Sequence, residues 1–226
     1  MAAPGTTAAK SPSPTSKTTS VLTLDQLHKI MPHAPSRYVQ PLNSAMLKYQ
    51  ITTPKRMAAF LAQLAEESNQ LRHTHELWTG KKNFHLSGVK RAAHTATSKE
   101  DYFEHWYGKR KDLGNTTEED GYTYRGRGAI QITGKANYIA VGKGIGQPLE
   151  SNPDLLETDD KVDMLASAYF FARVKSLNHL ADSVDPSKAT SVSHVNRLLT
   201  HAVNGGHNGI TERLKYYKNG LAALVK

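Results

Sequence analysis

Glu67 and Glu76, nine positions apart with His73 and His75 between them, are the residue types that acid–base chemistry needs. Cleaving a glycosidic bond takes one protonated carboxyl to protonate the leaving oxygen. It takes a second carboxylate to activate water or attack the sugar. Glu67 fits the first role if it is half-buried, because desolvation raises a carboxyl pKa and keeps a proton available near neutral pH. Glu76 fits the second. Two surface glutamates near a helix end would read the same way, and spacing alone leaves both readings open.

Other chemistries are weaker in the sequence. His73, His75 and Glu76 do not follow the His-Glu-x-x-His order and lack an obvious third ligand, so no metal site is expected. Gly142-Lys143-Gly144-Ile145-Gly146 lacks the spacing of a dinucleotide loop, and Gly128 to Lys135 misses that of a phosphate loop; both are expected to be turns. Asn115-Thr116-Thr117 matches a glycosylation sequon, although nothing points to a eukaryotic secretory route. No Ser-His-Asp set can be assigned, and eleven histidines leave one formally open.

The elements that must position these groups are mostly helical. Thr53 and Pro54 start a helix: a hydroxyl to cap free N–H groups, then a residue whose fixed φ suits the first turn. Met57, Phe60, Leu61, Leu64 and Leu71 recur at helical spacing and predict one buried face. On that wheel Glu66 falls opposite the face, as an ordinary surface charge, and Glu67 on its edge beside Phe60 and Gln63. Ile130 and Ile132 alternate with Gln131 and Thr133, predicting a short strand that shows Gln131 and Thr133 together on one side.

Further helices are expected over Leu22 to Met31, Tyr38 to Tyr49, Asp160 to Val174, Val192 to Val203 and Ile210 to Val225, with a turn from Asn204 to Gly209. Trp78 to Thr123 reads as a less regular lobe with one or two helices and an aromatic cluster at Tyr102, Phe103, Trp106 and Tyr107. Helix dominates, with one short sheet and no internal repeat.

Composition narrows the setting. The chain has 226 residues, no cysteine, 38% hydrophobic residues and a net charge of +9. Residues 1–20 are rich in Pro, Ser and Thr and read as a disordered tail, leaving 21–226 as one domain. No apolar run approaches a membrane span, and no secretory signal is evident in residues 1–20. The positive charge favours a polyanionic partner: nucleic acid, an anionic surface or an acidic wall polymer. No zinc-finger spacing, ribonucleoprotein pattern or basic heptad helix is present, so nucleic acid is not the expected partner.

Taken together, five blocks in order resemble family 19 of the glycoside hydrolases. They are Phe60 to Ser68; Gly114-Asn115 with Asp120-Gly121; Tyr124-Arg125-Gly126-Arg127-Gly128-Ala129-Ile130-Gln131-Ile132-Thr133-Gly134-Lys135-Ala136-Asn137-Tyr138; Asn152 to Leu156; and Val203 to Gly209. The chain is similar to the chitinases of that family and more closely to its bacteriophage endolysins. The resemblance implies a mainly α, lysozyme-like fold of two lobes with a cleft between them. It places Glu67 as general acid and Glu76 as second glutamate. Thr133 would help hold the attacking water, Gln131, Asn137, Tyr138 and Tyr124 would meet sugar, and Asn204 and Arg213 would belong to the cleft. One residue departs: the family usually carries His where Glu66 stands. A like charge there either raises the pKa of Glu67 or points to water.

The implied activity is inverting hydrolysis of β-1,4 bonds in the peptidoglycan backbone by a monomer, with no metal or organic cofactor and no membrane insertion. Chitin is the alternative substrate, and a wall-binding module without catalysis the alternative class. A cytoplasmic product without a signal peptide would reach the wall through a holin or a secretion machine, with an immunity protein in the second case.

Overall fold

The computed structural model describes residues 22–76, 78 and 96–225; the expected tail and the rest of the 77–95 stretch lie outside them. In order the chain forms α1 (Leu24–Ile30), α2 (Val39–Lys48), α3 (Pro54–Glu67), α4 (Lys99–Tyr107), α5 (Asp120–Thr123), α6 (Lys135–Ile145), α7 (Leu155–Thr158), α8 (Asp160–Tyr169), α9 (Asn178–Asp182), α10 (Ala189–Asn204) and α11 (Ile210–Leu224).

Helix α3 is the centre. Thr53 Oγ1 accepts the Arg56 N–H and Pro54 opens the first turn, as the sequence predicts. All nine residues from Met57 to Ala65 are buried, so α3 is enclosed on every side and not along one face. The reason is size. Ala58, Ala59, Ala62 and Ala65 on the side expected to face water let neighbours approach closely. Against Ala58, α11 presents Gly220, where a Cβ would stand 2.9 Å from the alanine Cβ. Phe171 packs on Phe60 with ring centroids 5.3 Å apart. Truncating a ring so placed to alanine costs about 3–5 kcal/mol.

A second, smaller apolar cluster gathers Ala96, Tyr102, Phe103 and Trp106, with Tyr107, Tyr122 and Trp78 against it. The two cores are the two lobes, and the cleft lies between them.

Three expectations are corrected. The strand at 130–133 is a turn, because Gln131 takes φ of 56°, which no extended strand accommodates; among the described residues the sheet shrinks to two isolated bridges, His75 to Arg127 and Arg127 to Ile132. Ile130 and Ile132 are nonetheless buried, and Gln131 and Thr133 partly exposed. The glycines at 142 and 144 lie inside α6, not in a turn: a Cβ at Gly142 would meet the Gln147 carbonyl at 2.7 Å, and one at Gly144 would strike the Tyr169 ring. Close packing, not chain reversal, selects glycine there. The helix expected over Asp160 to Val174 runs as α8 and then widens into a π-helical turn, Phe170–Val174.

Candidate active site

Glu67 ends α3. Beyond it Ser68 takes over the last turn, donating its hydroxyl to the Leu64 carbonyl and accepting the Leu71 N–H. Asn69, Gln70 and Leu71 then all adopt positive φ, between 47° and 63°. That left-handed run throws the chain into an extended segment, residues 73–76. Two backbone bonds tie it to the 126–128 turn, Gly128 N–H to Thr74 O at 2.7 Å and Glu76 N–H to Gly126 O at 2.9 Å. A sharp turn thus brings the second glutamate to the same cleft as the first.

The Arg213 guanidinium, only 2% exposed, donates to Glu67 Oε1 at 2.6 Å and to Gln63 Oε1 at 2.7 Å. Glu67 and Gln63 lie one turn apart on α3, so one planar fork serves both. Glu67 Oε2 makes no hydrogen bond among the described residues. Arg213 itself is a buried brace and does not line the cleft, contrary to its expected place there.

Glu76 is supported differently. Tyr107 donates its phenol to Oε1 at 2.9 Å, and the Gly126 N–H approaches Oε2 at 3.4 Å. Burial pushes the Glu76 carboxyl up; the Tyr107 and Gly126 bonds and nearby Arg125 pull against that. A Cβ on Gly126 would stand 2.6 Å from Gln131 Oε1, 3.1 Å from Glu76 Oε2 and 3.3 Å from Thr133 Oγ1. Glycine is required there, and the same numbers show the three polar groups converging on one point.

Glu66 is not the ordinary surface charge that the wheel predicts. It lines the cleft and rests against Gly209, and burial raises its carboxyl despite the opposing charge of Arg213.

The floor of the site is the Arg-Gly-Arg-Gly turn. Arg127 and Arg125 both grip Glu157 Oε1, at 2.6 and 3.0 Å, and Arg127 also reaches Asp154 at 2.9 Å. Buried Asp163 accepts the Ala129 N–H at 2.8 Å, and burial pushes its carboxyl up to about 7. Tyr138, fully buried, donates to the Arg125 carbonyl at 2.7 Å. Tyr124, buried against it, donates to the Glu150 carbonyl at 3.1 Å. The two tyrosines expected to meet sugar therefore lie beneath the floor, outside the cleft. Their rings hold the turn in place, which is why aromatic residues fall at these positions.

The cleft itself measures about 790 Å³ and is bordered by Glu67, Glu76, Gln131, Thr133, Asn137 and Asn204 among others. Thr133 Oγ1 donates to the Gln131 carbonyl at 3.1 Å, and Asn137 Nδ2 to the Thr133 carbonyl at 2.7 Å. Asn204 closes the Asn204–Gly209 turn by accepting the Gly206 N–H and donating to the Asn208 carbonyl.

Sequence reasoning missed Tyr107, Asp112 and Lys175, which also border the cleft. Only the aromatic run ahead of residue 108 hinted at the first. Asn115 of the sequon is buried and bonded to Tyr107 O and Lys135 N, so it presents no acceptor for a glycan. Among the described residues no group of three His, Asp or Glu is arranged to hold a metal ion.

Comparison with known proteins bears on this arrangement. A family model described as chitinase class I, glycoside hydrolase family 19, matches residues 48–198. A glycosyl hydrolase family 19 domain-containing protein of Haemophilus influenzae is 31% identical over 198 residues, 84% of this chain and 91% of that one. An acidic endochitinase of Petunia hybrida is 32% identical over 119 residues, 46% of this chain and 47% of its own length. Among solved structures, chitinase C of Streptomyces griseus superposes with a TM-score of 0.59 at 20% identity, over 90% of this chain and 76% of that one. A class IV chitinase of Zea mays gives 0.57 at 18%, over 90% and 92%.

Proposed function

The chain belongs to glycoside hydrolase family 19, and from that premise we propose that it cleaves the β-1,4 bonds of the peptidoglycan backbone, as an endolysin does, by inversion. One observation carries the reading: Glu67 and Glu76 border the same cleft, each with Oε1 engaged by a neighbour.

Glu67 Oε2 would hold the proton that passes to the glycosidic oxygen as the bond from the anomeric carbon breaks. The bonding pair leaves with that oxygen, and Arg213 stabilises the carboxylate that Glu67 becomes. Glu76 Oε2 takes a proton from water as the water oxygen bonds the anomeric carbon from the opposite face. The Thr133 hydroxyl hydrogen is engaged by the Gln131 carbonyl, so its lone pairs are what it offers to that water. A carboxylate raised by burial is also the stronger base.

Peptidoglycan is favoured by the net charge of +9 and by Lys175 and His73 at the cleft, which suit the carboxylates of lactyl and peptide substituents. Chitin is the second reading, favoured by the endochitinases among the relatives and by the neutral amides of Gln131, Asn137 and Asn204, which suit N-acetyl groups.

The test is incubation of purified peptidoglycan, and of N-acetylchitohexaose, with wild type and Glu67→Gln, reading fragments by mass spectrometry after reducing-end labelling. Hydrated muropeptide fragments from wild type alone are expected. Cleavage of the chitin oligomer alone would transfer the assignment to chitin, and anhydromuramyl ends would remove Glu76 as water activator. Binding to walls with no fragments from either substrate would leave a wall-binding module.

A further inference from the structure

Tyr107 borders the cleft, and an aromatic ring in such a place ordinarily offers a stacking surface for sugar. Here the ring is already engaged. It stacks on the fully buried Phe103 with centroids 6.0 Å apart and planes 12° from parallel, and the Arg110 guanidinium lies 6.0 Å from its centroid. Its backbone is pinned as well, because the Tyr107 carbonyl accepts Asn115 Nδ2 at 2.8 Å. What Tyr107 turns toward the reaction centre is its hydroxyl, 2.9 Å from Glu76 Oε1.

We propose that Tyr107 is a positioning residue for the base: its phenol holds Oε1 of Glu76, so that Oε2 is the oxygen presented to the attacking water beside Thr133. The inference rests on the acid–base assignment made above.

The terminal torsion of a glutamate is broad and nearly two-fold, so an unclamped Glu76 would exchange its oxygens and swing through a wide arc. The contact to Oε2 from the Gly126 N–H, at 3.4 Å, is too long to fix it alone. Oε2 is also the oxygen that shares one point of approach with Gln131 Oε1 and Thr133 Oγ1. Burial and the neighbouring Glu76 hold the Tyr107 phenol well above its ordinary range, so it stays protonated and keeps donating throughout the working pH.

The same bond has an electrostatic signature. The groups that act on Glu76 are the Tyr107 phenol, the Gly126 N–H, Arg125 and Glu67, and Tyr102 feels its charge in turn. Burial and Glu67 push the carboxyl up, while the phenol is the foremost group pulling it down. Removing the phenol alone must therefore raise it. Since the base acts ionised, the acid limb of the kcat profile must move to higher pH.

The experiment is the pH dependence of kcat and KM for wild type, Tyr107→Phe and Glu76→Gln on whichever of peptidoglycan or N-acetylchitohexaose the wild type cleaves. Tyr107→Phe is expected to lower kcat about 10- to 100-fold, leave KM within about twofold, and shift the acid limb upward. Enzyme carrying 3-fluorotyrosine at position 107, a more acidic and stronger donor of unchanged shape, is expected to shift the limb downward. It carries the test if the phenylalanine variant does not fold. A raised KM with the limb unmoved would make Tyr107 a sugar platform or a packing residue and overturn the proposal. An unmoved limb with fluorotyrosine would do the same. An active Glu76→Gln enzyme would instead sink the base assignment, and this inference with it.

Discussion

Glu67 and Glu76 reach one cleft on very different supports. Glu67 ends a helix enclosed on all sides, and its partner is a guanidinium sealed beneath the surface. Glu76 hangs from an extended segment tied to the 126–128 turn by two backbone bonds, and its side chain meets a phenol from the region of the smaller core and a peptide N–H of that same turn. The first is tied to the stability of the fold, because Arg213 buried without Glu67 and Gln63 would be an unpaired charge. The second is tied to hydrogen bonds that can be retuned with little effect on the core. An acid–base pair divided in this way can place one group rigidly and leave the other adjustable.

The comparison can be broken at several points. The largest effect is expected for Glu67→Gln: activity falls about 10²- to 10⁴-fold, and the protein stays folded with a lowered melting temperature, since the amide oxygen still accepts from Arg213 but no longer offsets its buried charge. Next comes Arg213→Met. It leaves Gln63 and Glu67 without their shared donor and should lower the unfolding free energy by about 3–5 kcal/mol in urea titration. A loss below about 1 kcal/mol would show that Glu67 is not bound to core stability as the comparison requires.

A third test concerns the turn beneath Glu76. Asp163 is raised from 3.8 to about 7 in the folded protein. Between those values the native state keeps a proton that the unfolded chain has lost, so this group makes stability fall as pH rises through the window. Asp163→Asn retains an acceptor for the Ala129 N–H and should abolish that slope. It is expected to gain on the order of 2–4 kcal/mol on wild type at pH 8 relative to pH 4, measured by denaturant unfolding at both pH values. The smallest effect is expected at the far end of α3, where Thr53→Ala removes the cap and costs about 1 kcal/mol without altering the shape of the pH–rate profile.

Much of this arrangement was legible in the sequence, and the misses share a cause. Thr53-Pro54, the Asn204–Gly209 turn and the helices ending the chain follow local rules, and the structure obeys them. Alternation of Ile130 and Ile132 with Gln131 and Thr133 predicted which residues face the cleft, although the backbone carrying them is a turn. Periodicity reports the side a residue faces and is silent about the positive φ at Gln131. Helix α6 was hidden because Gly142 and Gly144 are selected by close packing that spacing does not report, the 147–149 segment folding back on the first and Tyr169, 25 positions on, lying against the second. Tyr124 and Tyr138 carry the motif that resembles the family, yet they lie under the floor. A motif records what the site needs, and a site needs its foundation as much as its contacts. Glu66 and Tyr107 were misread or missed because only tertiary packing sets Glu66 against Gly209 and Tyr107 against Glu76.

The stereochemistry of the first product tests the central claim most directly. Proton NMR of reducing ends in the first seconds of hydrolysis, before mutarotation, distinguishes the two anomers. Water directed by Glu76 from the face opposite a β-linked leaving group must yield the α-anomer first. Initial accumulation of the β-anomer would mean a retaining reaction and would contradict the assignment of Glu76 as the base that activates water.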